Sequence, residues 1–248
     1  MRLSRRVLWG LLAVTCGFSQ VAAAKTTKES VTSGGVSRPY YLALPDKPTS
    51  TPMPLIVLLH GSGRDGKSLL THWEGLGNKE GIILVGAEAT VREGWDMRKD
   101  DPDFLYDLVE SVKSRSSVDP KRVYLFGHSA GAVHALGMAV LESEYFAAVA
   151  VHAGVIDSSN LPFIDRAPRK TPVGLWVGTR DPQFPVEAVR RTRDALTTHG
   201  FSVQLVEIPG HTHWYYDRAG QINKEVWAFL KQQALAGEPK YQPYDIPK

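Results

Sequence analysis

The chain has 248 residues, of which 43% are hydrophobic and 22% charged, and its 29 basic and 26 acidic residues give a formal net charge of +3. This length suits one domain with a large buried core, and the ordinary composition excludes wholesale disorder.

The first 24 residues have the layout of a secretory signal peptide. Three arginines lie among the first six residues, an apolar run follows over residues 7–18, and small residues at Ala22 and Ala24 suit cleavage after Ala24. The apolar run is too short for a comfortable membrane span. We therefore expect a secreted or periplasmic protein of a bacterial envelope, with a retained N-terminal anchor as the alternative.

Cleavage would change the charge and the cysteine content of the chain. It removes three basic residues and no acidic one, so the mature chain is formally neutral. We therefore expect no nucleic-acid partner and no stable membrane insertion after cleavage. The only cysteine, Cys16, leaves with the segment. The mature chain would then have neither a disulfide nor a thiol nucleophile.

The rest of the chain alternates strand-like and helix-like segments. Two strands over residues 25–33 and 36–44, joined at Gly34 and Gly35, predict an antiparallel hairpin. Further strands are expected at residues 55–59, 82–85, 122–126, 146–151, 173–177 and 203–208, and helices at residues 68–79, 103–114, 132–141, 186–199 and 221–234. This alternation predicts a single α/β domain over residues 25–248, with a doubly wound, mainly parallel sheet and no large cap domain.

A Gly-His-Ser-Ala-Gly pentapeptide joins a predicted buried strand to a predicted helix, with Ser129 at its centre. Gly-x-Ser-x-Gly at a strand-to-helix turn is the nucleophile elbow of the α/β-hydrolase fold. The serine adopts a strained backbone conformation there, and side chains at Gly127 or Gly131 would collide with neighbouring elements. The first amides of the helix would lie beside the hydroxyl, where an oxyanion can be held. Ser129 is therefore the predicted nucleophile.

A serine nucleophile needs a histidine base, which in turn needs a carboxylate to fix its tautomer. In this fold the three groups follow the chain order serine, acid, histidine. Asp181 comes just after the predicted strand at residues 173–177 and is the predicted acid. Asp157 is the main alternative, because some hydrolases carry the acid after the preceding strand. Asp165 and Asp217 are further candidates.

Two histidines, His211 and His213, follow the last predicted strand, and their position alone does not decide which of them is the catalytic base. Residues 213–216, His-Trp-Tyr-Tyr, are similar to the His-Ser-Tyr-Tyr segment of the esterase D (S-formylglutathione hydrolase) group, whose histidine is the catalytic base. The resemblance implies that His213 is the base and that His211 supports it or packs in the loop. His128 and His134 are expected to pack in the interior, and His152 shows no metal-ligand spacing.

Over roughly residues 54–230 the chain resembles the polyhydroxybutyrate depolymerase/feruloyl esterase group of serine esterases. The matching segments are the pentapeptide and residues 58–63, 118–124 and 146–150. Many members of that group have cysteine where this chain has Ser62. The resemblance implies an esterase for short-chain, acetyl, feruloyl or hydroxyalkanoate esters, either small molecules or linked to a polymer.

The oxyanion hole of this fold uses two backbone amides. Ala130 supplies one in our prediction and Ser62 the other, with Gly63 as the alternative to Ser62. Trp214 and Trp95 are predicted walls of the substrate site. The chain has no metal-binding motif and no phosphate-binding glycine loop, so we expect no metal and no cofactor.

The sequence therefore predicts a serine esterase that cleaves carboxylic esters through an acyl-enzyme. The alternatives are an acyltransferase or a peptidase on the same fold, or a catalytically inactive hydrolase fold that serves in binding.

Overall fold

A computed structural model describes residues 26–47 and 50–243 of the chain. The predicted signal peptide lies outside these residues. The strands are β1 (Thr27–Ser33), β2 (Val36–Ala43), β3 (Met53–Leu59), β4 (Ile83–Ala87), β5 (Val118–His128), β6 (Ala148–His152), β7 (Val173–Gly178) and β8 (Val203–Ile208). The α-helices are α1 (Gly66–Leu70), α2 (Glu74–Glu80), α3 (Pro102–Lys113), α4 (Ala130–Leu141), α5 (Val186–Thr198) and α6 (Ala219–Leu230). Two short 3₁₀ helices cover Ser158–Phe163 and Tyr215–Asp217.

The eight strands form one sheet in the order β1-β2-β4-β3-β5-β6-β7-β8. The pairs β1–β2 and β2–β4 are antiparallel, and the remaining pairs are parallel. The turn between β1 and β2 uses Gly34 and Gly35, whose φ angles of 56° and 76° favour glycine. This architecture confirms the predicted α/β-hydrolase fold with an N-terminal antiparallel hairpin, and the described residues contain no large cap.

The central strand β3 supplies side chains to the hydrophobic layers on both faces of the sheet. Leu55, Val57 and Leu59 face the layer that includes residues of α3, α4 and α5. Ile56 and Leu58 face the opposite layer, with residues of α1 and α6. All five side chains are fully buried. Since successive residues of a strand point to opposite faces, burial on both sides requires the continuous apolar run that predicted this strand.

The helix predicted over residues 68–79 is instead two short helices, α1 and α2, separated by a turn. The turn brings the fully buried ring of Trp73 against Phe126 of β5, with 5.1 Å between the ring centroids. Burying this large aromatic side chain removes apolar surface from water and so stabilises the fold. Trp73 therefore belongs to the core of the protein.

Two other element boundaries lie four residues from their predicted positions. Strand β5 begins four residues early, at Val118, which pairs with Met53 of β3. Helix α6 ends at Leu230, and the chain that follows runs back so that the amide of Leu235 bonds the carbonyl of Lys121. The tail then packs against the domain, where Tyr241 stacks on Tyr106 with ring centroids 4.1 Å apart. None of the helices in the described part of the chain has the length and hydropathy that a bilayer-spanning segment needs.

Candidate active site

Ser129 lies at a tight turn between the end of β5 and the start of α4. Its φ of 56° is unusual for a residue with a side chain. A Cβ atom on Gly127 would come within 2.2 Å of the carbonyl oxygen of Gly131, and one on Gly131 would come within 2.1 Å of that of Leu59. Only glycine fits at either position, and the two glycines let the turn pack tightly between β5, α4 and β3.

The structure brings Ser129, His213 and Asp181 together in one hydrogen-bonded line. His213 Nε2 lies 3.0 Å from Ser129 Oγ, and His213 Nδ1 lies 3.0 Å from Asp181 Oδ2. The Asp181 side chain is fully buried, and its Oδ1 accepts hydrogen bonds from the amides of Gln183 and Phe184. When Nδ1 donates to this carboxylate, Nε2 presents its lone pair to the serine hydroxyl. The arrangement can therefore take a proton from Ser129.

The rival acids and the rival base have other partners. The exposed Asp157 accepts hydrogen bonds from the amide and hydroxyl of Ser159, and the carboxylate of Asp165 lies 3.6 Å from His199. Asp217 belongs to the short 3₁₀ helix Tyr215–Asp217. The Nε2 atom of His211 contacts His152, whereas the contacts with Ser129 Oγ and Asp181 Oδ2 belong to His213.

The loop after β3 passes beside the serine, where an oxyanion would lie. A Cβ atom on Gly61 would be 3.1 Å from Ser129 Cβ. The amide of Arg64 bonds the carbonyl of Gly61, which closes a turn in which Gly63 has a φ of 71°. The amide of Gly63 donates to the carbonyl of Arg92 at 2.8 Å and is thus occupied. The amides of Ser62 and Ala130 have no hydrogen-bond partner among the described residues, which favours Ser62 over Gly63 as a donor.

Trp95, a predicted wall of the substrate site, also holds the loop that carries Ser62. Its indole Nε1 donates to the carbonyl of His60 at 2.8 Å, and its ring stacks on His134 with centroids 5.1 Å apart. The half-buried ring lines a cavity next to Ala130. Trp95 thus contacts the loop that carries Ser62, and it also lines the cavity next to Ala130.

Trp214, the other predicted wall, lies at the surface beside the base. Its side chain is 43% exposed. The guanidinium of Arg64 lies over its ring, 4.6 Å from the centroid, and the ring of Tyr216 is 5.0 Å away. Together these residues line a shallow surface cavity. A substrate group on the His213 side of the serine would meet this aromatic and cationic surface.

Beneath the catalytic residues, three buried histidines form a hydrogen-bonded chain that the sequence did not predict. His128 Nδ1 lies 3.1 Å from His152 Nδ1, and His152 Nε2 lies 3.1 Å from His211 Nε2. Burial lowers the pKa of His128 to about 3 and holds that of His152 well below its usual value. Burial also lowers the pKa of His211, so all three imidazoles are neutral at neutral pH. A neutral imidazole offers the one donor and one acceptor that such a chain needs.

This row of three histidines connects the turn that carries Ser129 to the loop that carries His213. His128 precedes Ser129, its ring lies 5.1 Å from that of His213, and His211 precedes His213 by two residues. Sequence reasoning missed the role of His152. Its only signal in the sequence is that it is a polar residue at the end of an apolar strand, β6, which pairs with β5. The described residues contain no group of three or more His, Cys, Asp or Glu side chains placed to hold a metal ion.

Comparison with known proteins connects this site to a family. The model of the dienelactone hydrolase family matches residues 87–234, which include Ser129, Asp181 and His213. The protein named "Putative esterase NocK" of Nocardia uniformis subsp. tsuyamanensis is 34% identical over 184 residues, which cover 68% of this chain and 52% of that protein. The bifunctional acetylxylan esterase/xylanase XynS20E of Neocallimastix patriciarum is 30% identical over 132 residues, 52% of this chain and 19% of that protein.

The chain thus spans about half the length of the first of these relatives and about a fifth of the second. Among solved structures, the S-formylglutathione hydrolase FrmB of Staphylococcus aureus superposes with a TM-score of 0.68 at 14% identity, over 84% of this chain and 98% of that one. At this identity the similarity shows the shared fold alone.

Proposed function

The chain belongs to the dienelactone hydrolase family, and on this premise we propose that it hydrolyses carboxylic esters through an acyl-enzyme on Ser129. The observation that carries the proposal is the pair of 3.0 Å contacts that His213 makes with Ser129 Oγ and Asp181 Oδ2. A binding protein has no need of a nucleophile, a base and an acid in one line. The esterase relatives agree with this activity.

Each step of the reaction has a group placed for it. His213 Nε2 takes the hydroxyl proton as Ser129 Oγ attacks the ester carbonyl, and the buried carboxylate of Asp181 stabilises the imidazolium. The free amides of Ser62 and Ala130 hold the oxyanion, where loss of one donor typically costs about 10²–10³ in kcat. The alcohol leaves with the proton from His213, and water then releases the acid by the same steps.

The proposed substrates are exposed esters, either small or attached to a polymer. Two observations support an accessible site. The described residues include no large cap over Ser129, and Trp214 beside the base is 43% exposed. One relative is named as an acetylxylan esterase, which fits acyl groups carried on a polysaccharide. The N-terminal sequence supports export to the periplasm or the medium, where such polymers are found.

A fluorophosphonate probe and phenyl acetate together test the proposal. We expect the probe to label the wild-type protein at Ser129, and phenol to be released at a rate that Ser129→Ala abolishes. His213→Ala should lower both labelling and hydrolysis sharply, whereas His211→Ala should leave most of the activity. The assignment would be contradicted if the probe failed to label the wild-type protein, or if the Ser129→Ala variant were as active as the wild type. Added methanol separates hydrolysis from acyl transfer, because only a transferase would convert most of the acyl group to methyl acetate.

A further inference from the structure

Residues 181–185, Asp-Pro-Gln-Phe-Pro, form part of the connection between β7 and α5. Proline fixes its own φ angle and restricts the backbone of the residue before it, so Pro185 limits the conformations of Phe184. Gln183 and both prolines are exposed, whereas Phe184 is half-buried and packs against the hydrophobic core. Phe184 is thus turned inwards although its neighbours on both sides face solvent.

Phe184 contacts both the acid and the base of the catalytic line. Its backbone amide donates a 2.9 Å hydrogen bond to Asp181 Oδ1. Its ring stacks on the imidazole of His213, with 5.7 Å between the ring centroids and an angle of 17° between the ring planes. One residue therefore supports both partners of the hydrogen bond between His213 and Asp181.

The two hydrogen bonds of His213 do not fix its ring completely. They join Nε2 to Ser129 Oγ and Nδ1 to Asp181 Oδ2, each at 3.0 Å. The donor and acceptor directions of an imidazole lie in its ring plane. The ring can therefore still tilt about the line between the two oxygens, and a tilt would turn the Nε2 lone pair away from the hydroxyl proton. The nearly parallel ring of Phe184 opposes that tilt.

The same ring meets a positive charge during the reaction. His213 becomes an imidazolium each time it takes a proton, first from Ser129 and later from water. The face of a phenyl ring carries partial negative charge and attracts a cation that lies within about 6 Å of its centroid. The His213 side chain is only 14% exposed, so solvent screens this attraction little. An attraction that strengthens as the charge develops favours the transition state over the bound substrate.

Phe163 shows what a phenylalanine that only packs against the same core looks like. It is also half-buried and adjoins the same hydrophobic layer. Its ring lies below the guanidinium of Arg166, 5.8 Å from the centroid. Phe163 is therefore a matched comparison for Phe184.

On the basis of the proposed esterase activity, we infer that Phe184 is a positioning residue for the catalytic base. Its ring keeps the imidazole of His213 aligned between Ser129 and Asp181, and it stabilises the imidazolium that forms in both halves of the reaction. Its backbone amide holds the carboxylate of Asp181 and is present whatever side chain stands at this position. Substitutions of the side chain therefore test the ring alone.

Phe184→Leu removes the ring and keeps an apolar side chain. With phenyl acetate we expect kcat and kcat/KM to fall together by about five- to tenfold while KM stays within about twofold, because the interaction is made with the base and not with the substrate. Phe184→Tyr keeps a ring at this place and should recover most of the lost activity. Phe163→Leu removes a comparable ring from the core, and its kcat should stay within about twofold of the wild type.

A second measurement guards against misfolding of the leucine variant and separates charge from packing. Phenylalanines with one, two or three fluorine atoms on the ring, incorporated at position 184, keep the shape of the ring but progressively weaken the negative charge of its face. We expect kcat to fall stepwise with each fluorine, by about two- to fivefold in total.

Two results would overturn the inference while leaving the proposed function in place. One is a loss of kcat in Phe184→Leu no greater than that in Phe163→Leu, and the other is the same kcat for all the fluorinated proteins. In either case the wild-type protein would still hydrolyse phenyl acetate through Ser129. A wild-type protein that hydrolyses no ester at all would overturn the proposed function as well.

Discussion

The indole N–H of Trp95 donates a 2.8 Å hydrogen bond to the backbone carbonyl of His60, and so joins the chain after β4 to the loop after β3. A second link lies nearby, where Arg92 Nε donates to the carbonyl of Gly63 and the amide of Gly63 donates to the carbonyl of Arg92. These bonds hold the loop on both sides of Ser62. An amide that must stabilise an oxyanion without reorganising needs such support, because preorganisation provides most of the stabilisation.

Trp95→Phe should therefore slow catalysis while the fold stays intact. Phenylalanine keeps an aromatic ring but removes the donor to His60, and we expect kcat/KM for phenyl acetate to fall about three- to tenfold. The matched control is Trp227→Phe, which removes an indole bond to Glu80 on the opposite face of the sheet. Steady-state kinetics with thermal melts would check both variants. An equal loss of activity in the two would show that the bond from Trp95 has no special role.

Asp181→Asn tests the role of the buried carboxylate. The substitution keeps the size of the side chain but removes the charge that stabilises the His213 imidazolium and fixes its tautomer, and kcat should fall by about 10³–10⁴. Asp165→Asn is the matched control, because Asp165 was a rival acid and its side chain is 81% exposed beside His199. This control should stay within about twofold of the wild type. An active Asp181→Asn variant would mean that the imidazole is oriented by another group.

The places of Ser129, Asp181 and His213 in the fold could be predicted, because they depend on a local sequence pattern and on the order of elements along the chain. The glycines flanking Ser129 are required by contacts within one strand-turn-helix unit, and Asp181 and His213 follow strands that the apolar runs already marked. His152 could not be predicted in this way. Its partners, His128 and His211, become its neighbours only through the pairing of β5 with β6, of β6 with β7 and of β7 with β8.

The segment between β4 and α3 shows a second limit of prediction from sequence. It has no hydrophobic period, and its path is fixed instead by the carboxylate of Asp100, which accepts hydrogen bonds from the amides of Thr90 and Asp96 and from Arg38. A network centred on one buried side chain leaves no repeating pattern in the sequence. The break between α1 and α2 is similar, since it depends on where Trp73 finds space in the core.

Asp100→Asn should destabilise the protein strongly. The Asp100 side chain is fully buried, and its Oδ1 lies 2.6 Å from Arg38 Nη2, whose side chain is 9% exposed. Neutralising one partner leaves a buried guanidinium without its counter-charge, which typically costs about 3–5 kcal/mol in the free energy of unfolding. Urea denaturation would measure this loss. Glu187→Gln breaks the pair with Arg190 on the surface, where the Glu187 side chain is 69% exposed, and it should leave the free energy of unfolding almost unchanged.

The buried histidines predict how stability changes with pH. The pKa of His128 falls from 6.5 to about 3 on burial, so between these values the unfolded chain binds a proton that the folded protein does not. The free energy of unfolding should therefore be greatest above pH 6.5 and decrease as pH falls towards 3. One such group contributes a slope of up to about 1.4 kcal/mol per pH unit. His152, whose pKa is also lowered by burial, adds to the same loss.

His128→Phe isolates one part of this slope. The phenyl ring keeps an aromatic group beside Tyr215, on which the His128 ring stacks at 5.4 Å, but it cannot take up a proton in the unfolded chain. The variant loses the bond to His152 and should be less stable at pH 7.5, yet between pH 6 and pH 4 its stability should decrease less steeply, by up to about 1.4 kcal/mol per pH unit. Urea titrations at several pH values would give both slopes. His199→Phe, on the surface beside Asp165, is the control for adding a phenyl ring. Parallel pH profiles for wild type and His128→Phe would mean that His128 takes up its proton in the folded protein as readily as in the unfolded chain.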